Sequence, residues 1–173
     1  MALRNIRVIG EDILSKRSKE VTEMTPRIKE LIEDMFDTLH DAQGVGLAAP
    51  QVGILKRIVV LDIDGTNPMI LINPRIIESS GEQSDKEACL SVPGKSGYVK
   101  RPTNVKVEAQ DLLMNPIQIE AQDLLARAIC HEVDHLDGLL YVSKVDGELM
   151  DNPSEEQEED AEDGSTESVK DNS

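Results

Sequence analysis

The chain has 173 residues and a formal charge of −16, with one Phe, two Tyr and no Trp, so aliphatic side chains must fill any core. That length suits one domain with a tail. Residues 146–173 hold twelve acidic side chains and one lysine, against 22 acidic and 17 basic in 1–145. The body is therefore only mildly acidic and lacks the basic stripe that gathers nucleic-acid phosphates, so no DNA partner is expected. The first residues, MALRNIRVIGEDIL, are charged throughout, and no stretch approaches the ~20 apolar residues that span a bilayer. With only Cys89 and Cys130 for thiols, a cytoplasmic protein without a membrane partner is expected.

In chain order, the first strong signal is helical. TPRIKELIEDMFDTLHDAQG (25–44) offers Thr25 as N-cap and Pro26 at the first helical position. Ile28, Leu31, Ile32, Met35, Phe36 and Leu39 recur on the rhythm of one buried face, with Gly44 as the stop. The following GVGLAAPQVG (44–53) is too small and glycine-rich for an ordinary strand or helix, and predicts backbone lying close to something.

RIVVLDI (57–63), MILINPRIIES (69–79), NVKVEAQDL (104–112) and PIQIEAQ (116–122) have strand character. LLMNP between the last two closes a hairpin. EACLSVPG (87–94) reads as a short irregular stretch. A second helix is expected over DLLARAICHEVDHLDG (123–138), with Asp123 as N-cap and Gly138 as stop. The expected fold class is α+β, with antiparallel sheets packed around this helix and a helix nearer the N-terminus. Residues 1–145 form the expected folded domain. Residues 146–173, nearly devoid of apolar side chains, form an expected acidic disordered tail.

The chemistry lies in HEVDH (131–135). On a helix His131 and His135 are separated by only about 40°, so both imidazoles can reach one ion. Glu132 is rotated about 100° from His131 and can stand beside that ion as a general base. A histidine pair merely facing the core is the bland alternative. A catalytic ion needs a third protein ligand, and nothing downstream of His135 supplies one. His40 lies on the first helix and reads as a residue bordering the core. Cys130 points about 100° away from His131 and reads as packing. Cys89 lies outside any periodic element and is the remaining candidate.

At this point GVGLAAPQVG, EACLSVPG and HEVDHLDG together resemble the three motifs of the peptide deformylase family, in order and at typical separations. The likeness runs from about residue 2 to about residue 145, so the folded domain would be the catalytic domain. The resemblance implies that Cys89, His131 and His135 hold one divalent ion. Ferrous iron is the expected ion, with Zn2+, Ni2+ or Co2+ as alternatives. It implies Glu132 as general acid and base, with the Gln51 amide and the Leu90 backbone N–H as oxyanion donors. Gly44, Val45 and Gly46 would pair with the peptide, while Leu124, Arg127 and Ala128 would wall the methionine pocket. An ion pair between Arg101 and Asp134 is also implied.

The implied reaction hydrolyses the formyl group from N-formyl-methionyl nascent chains and releases formate. It would take place near the ribosome, although the acidic tail would be repelled by ribosomal RNA. A monomer is expected. One departure stands out: the family has glycine where this chain has Ala88. If that position requires φ > 0, alanine would cost about 1 kcal/mol. Two other readings stay open: a metallopeptidase built on the same helix, and a low-activity homologue that serves as a metal-holding or binding module.

Overall fold

The computed structural model describes residues 2–152. In chain order the regular elements are α1 (Pro26–Asp41), β1 (Gly46–Ala48), β2 (Ile58–Leu61), β3 (Met69–Ser80), β4 (Gln83–Cys89), β5 (Val92–Arg101), β6 (Asn104–Gln110), β7 (Pro116–Gln122), α2 (Asp123–Leu136) and β8 (Met150–Asp151). The strands form an antiparallel five-stranded sheet, in the order β1-β2-β3-β6-β7, and a three-stranded one, β4-β5-β8.

The two helices cover opposite faces of the larger sheet. Leu31, Ile32, Met35 and Leu39 of α1 pack with Ile58, Val60 and Ile72. Ala126, Ile129 and Leu136 of α2 pack with Val59, Leu61, Leu71 and Val107. β2 is buried on both faces, which explains why IVVL reads as an unbroken apolar run rather than an alternation. Thr25 caps α1 as expected, its Oγ1 accepting from the Ile28 N–H at 3.2 Å. The helix nevertheless ends before Gly44. Gln43 takes the left-handed conformation at φ 56°, which leaves Gly44 for a different role.

EACLSVPG is not irregular: it ends β4, turns, and begins β5. Ser84–Lys86 are exposed, so this strand carries no apolar alternation and is held by its ladder to β5 instead. The register slips at Ala88, which alone spans the stretch opposite residues 93–96, so the extra residues lie on β5. Glu87 and Cys89 both remain buried beside it.

Asp123 is the first residue of α2 rather than its cap. It has φ 54°, and its N–H donates to the Thr103 carbonyl at 2.9 Å. Gly138 does stop this helix region, at φ 77°; a Cβ there would lie 2.6 Å from the Ser15 carbonyl oxygen.

The acidic segment does not leave the fold at Asp146. The Asp146 N–H donates to the Tyr98 carbonyl, Met150–Asp151 pair with Ser96 and Lys95, and the Asn152 N–H donates to the Gly94 carbonyl. Pairing along an exposed strand edge uses backbone alone and needs no apolar side chains. The rest of the expected tail lies outside the described residues. Among the described residues no helix is long and apolar enough to cross a membrane.

Candidate active site

α2 sets the two histidines, and the end of β4 supplies the cysteine. Cys89 Sγ lies 3.3 Å from His135 Nε2, and donor atoms of Cys89, His131 and His135 all fall within 4.8 Å of one another. His131 and His135 are both buried. Cys130, the neighbour of His131 in sequence, turns into the core between α2 and the sheet, and burial pushes its thiol pKa upward. His40 is engaged elsewhere: its Nε2 sits 2.8 Å from Asp62 Oδ2, and its ring stacks on Phe36.

The feature that the sequence did not single out is Glu87. Its Oε1 accepts from Arg101 Nη2 at 2.9 Å and lies 2.8 Å from His131 Nδ1. Its Oε2 accepts from Arg101 Nε at 2.9 Å and from Arg127 Nη1. Burial alone would raise the Glu87 pKa, but the hydrogen bonds from Arg101 and His131 pull it down to about 2. With Nδ1 committed to this carboxylate, Nε2 of His131 is the nitrogen left for an ion. Period-two alternation was the available signal, since 87 and 89 share a strand face. Arg101 also reaches Asp134 through Nη1 at 2.6 Å, and Lys144 Nζ lies 2.8 Å from the same Asp134 oxygen.

The donor set suits a cation. Burial lowers the pKa of His131, yet Cys89 and Glu87 outweigh it and push the group up to about 10. The anionic neighbours thus hold a proton on His131, which a metal bound there would displace and replace as the positive charge. His135 is driven well below its usual value, first by burial and then by repulsion from His131. It is therefore held as the neutral imidazole that a metal requires.

Glu132 is buried beside the group, with Oε1 4.0 Å from His131 Nε2. Burial pushes its carboxyl up to about 7, against the pull of His131. Gly46 explains the small residues opposite. A Cβ there would meet Glu132 Oε1 and Leu61 Cδ2, each at 2.9 Å, and one at Gly44 would meet Leu90 Cδ1 at 2.8 Å. Gln51 is clamped: Oε1 accepts the Ala48 N–H at 2.9 Å, while Nε2 donates to Ser91 Oγ at 3.0 Å and lies 3.6 Å from Cys89 Sγ. The amide N–H side is thereby aimed at the metal-ligand group.

A cleft of about 490 Å3 opens onto these residues. Gly44, Val45, Gly46, Gln51, Cys89 and Leu90 lie on its walls, with Leu124, Arg127, Ala128, His131 and Glu132. A larger hollow of about 880 Å3, around Arg57 and Arg75, contains none of the metal-ligand group. Ala88 also borders the cleft, but it is not among the residues with positive φ. The backbone strain expected of an alanine there is absent, and with it one reason for expecting low activity.

A thiolate and two imidazoles converging beside a buried carboxylate, on an α+β scaffold, define a class: the metal-dependent hydrolases built on a His-Glu-x-x-His helix. Likeness to known proteins narrows that class. Residues 3–150 match the family described as polypeptide deformylase, and the chain belongs to it. The family comprises metal-dependent hydrolases that remove N-terminal formyl groups from nascent peptides. A peptide deformylase of Lachnoclostridium phytofermentans is 58% identical over 161 residues, covering 92% of this chain and 99% of the relative. One from Agathobacter rectalis is 59% identical, covering 92% and 100%. The crystal structure of peptide deformylase from Thermotoga maritima superposes with a TM-score of 0.82 at 37% identity, covering 85% of this chain and all of that one.

Proposed function

We propose that this deformylase holds one divalent ion on Cys89 Sγ and the Nε2 atoms of His131 and His135, with the cleft above it receiving an N-formyl-methionyl peptide. The observation that carries this reading is the convergence of those three donors within 4.8 Å while Glu87 occupies the other nitrogen of His131. An ion bound there would acidify a water and polarise the formyl carbonyl.

The chain's own groups supply the rest. Glu132 takes the proton of the attacking water and returns it to the departing amine, a task suited to a carboxyl whose pKa burial raises. Gln51 Nε2 and the Leu90 backbone N–H donate to the oxygen on which negative charge develops. Gly44, Val45 and Gly46 offer an unobstructed backbone edge to an extended peptide. Leu124, Arg127 and Ala128 wall the pocket for the methionine side chain. Glu87 positions His131, and Arg101 with Arg127 positions Glu87.

Ferrous iron is the proposed native ion, as the family resemblance implies, on a site that its thiolate makes softer than an all-oxygen and nitrogen one. Zn2+, Ni2+ and Co2+ are the alternatives. The proposed setting is a cytoplasmic monomer acting on chains as they leave the ribosome. The proposed catalytic unit runs to about Asn152, where β8 ends, with the acidic remainder a solubilising appendage.

The deciding experiment isolates the protein without oxygen, measures its metal content, and follows formate release from a formyl-Met peptide. Stoichiometric metal with formate release is expected. Release that is independent of bound metal would refute the assigned ligand set.

A further inference from the structure

His131 is held by contacts of two different kinds. At its edge, Nδ1 lies 2.8 Å from Glu87 Oε1. A single hydrogen bond sets the tautomer and the direction of the ring, but constrains the tilt of its plane only weakly. On its face lies the ring of Tyr141, with centroids 5.9 Å apart and planes inclined by 28°. That is an offset stack within the favourable range for aromatic pairs. His135 meets the same imidazole edge-on, with centroids 5.0 Å apart.

Tyr141 is built into this position. It opens the helical turn Tyr141–Lys144 that follows α2. Lys144 Nζ lies 2.8 Å from Asp134 Oδ2 on α2, Val145 pairs with Val99 of β5, and the Asp146 N–H donates to the Tyr98 carbonyl at 2.7 Å. The Tyr141 side chain is 1% exposed and shares one apolar cluster with Cys89, Val92 and Val99. It thus meets the face of one proposed ligand and packs in the same cluster as a second. Cys89 and His131 border the cleft, whereas Tyr141 is not among its wall residues, so the ring stands behind the ligands. Its hydroxyl is buried with no hydrogen-bond partner among the described residues, a costly state for a donor. The part of this side chain that acts on His131 is the ring.

We propose that Tyr141 is a positioning residue for the metal centre: its ring holds the plane of His131 so that Nε2 stays aimed at the ion. The proposal rests on the reading of Cys89, His131 and His135 as the ligand set. Glu87 fixes the edge of the imidazole and Tyr141 its face, and the segment after α2 thereby has a task at the ligands.

The test loads the full-length protein with Co2+ in the absence of oxygen. It reads the ligand-field bands of the bound ion and its rate of release to a chelator. Tyr141→Phe keeps the ring and Tyr141→Leu removes it. Met35→Ala, in the α1 cluster that contains none of the three ligands, controls for lost stability alone. Tyr141→Phe should match wild type in bands and release, with a Tm no lower, since it loses only an unsatisfied hydroxyl. Tyr141→Leu should shift the bands and release Co2+ about tenfold faster, the lower end of what the partners of metal ligands contribute to metal affinity. Met35→Ala should lower Tm and change neither.

If Tyr141→Leu does not fold, Tyr141→Met, also without a ring, takes its place. Wild-type bands and release in the ringless variant overturn the proposal. So does a Tyr141→Phe that behaves like the ringless variant, or a Met35→Ala that releases the ion as fast. A wild type that binds no Co2+ would instead refute the ligand set on which the proposal depends.

Discussion

Glu132 occupies the same helix as two ligand candidates yet is kept apart for another task. Its Oε1 is 4.0 Å from His131 Nε2, and Oε2 is buried with no protein partner. Glu132→Gln preserves size and removes the titrating group. It should retain a full complement of metal while kcat for formate release falls by about 10²–10⁴; a variant of normal turnover would refute the role. Gln51 is the second such residue, fixed on its oxygen side by the Ala48 N–H. Gln51→Leu should lower kcat by about 10²–10³, with metal content, read by elemental analysis, unchanged. The His-Glu-x-x-His spacing made Glu132 and the histidines visible in the sequence, because helix geometry alone places them. Glu87 stayed hidden because its partners Arg101, Arg127 and His131 lie 14, 40 and 44 residues away.

The β4–β5 hairpin and α2 meet through the Glu87–Arg101–Asp134 contacts, which tie the cysteine-bearing element to the histidine-bearing one. Arg101→Leu removes the bidentate partner of a buried carboxylate. It should cost about 3–5 kcal/mol in urea unfolding and accelerate metal loss to a chelator. Acid should act on the same link. The Glu87 pKa is depressed from 4.5 to about 2, so its contribution is fully present above about pH 4.5 and is lost as pH falls from there toward 2. Over that window wild type should lose more stability than Glu87→Gln, as measured by thermal melts at successive pH values.

Elements with a strong apolar signal, periodic in α1 and unbroken in β2, were readable from sequence, as were β3, β6 and β7. β4 and β5 were not, because their cohesion comes from partner strands that no local window contains. Asp123 was misplaced by one position for a related reason. The Thr103 carbonyl, 20 residues upstream, holds its N–H and lets the helix begin one residue earlier.

For the molecule as a whole, the proposed ion would join two layers: Cys89 from the smaller sheet and the histidines from the helix behind the larger one. Its removal should therefore abolish turnover and lower Tm together, since a ligand that binds only the folded state adds stability by mass action, about 4 kcal/mol at a thousandfold excess over Kd. Restoring the metal under anaerobic conditions should recover both. Limited proteolysis should leave a resistant body that retains β8.

The sequence by itself determined that a helix would carry two imidazoles and a carboxylate on one side, that α1 would bury one face, and that the glycines of GVGLAAPQVG would stand against something close. All of these follow from local periodicity or from the space a Cβ needs. Only the tertiary structure decided that Cys89 would lie against the histidines, because strand pairing rather than any local period brings the buried end of β4 to α2. It also decided that Glu87 would anchor His131 and that residues 146–152 would remain in the fold. Both depend on partners distant in the chain, whose meeting is set by sheet register and layer packing rather than by any neighbouring residue.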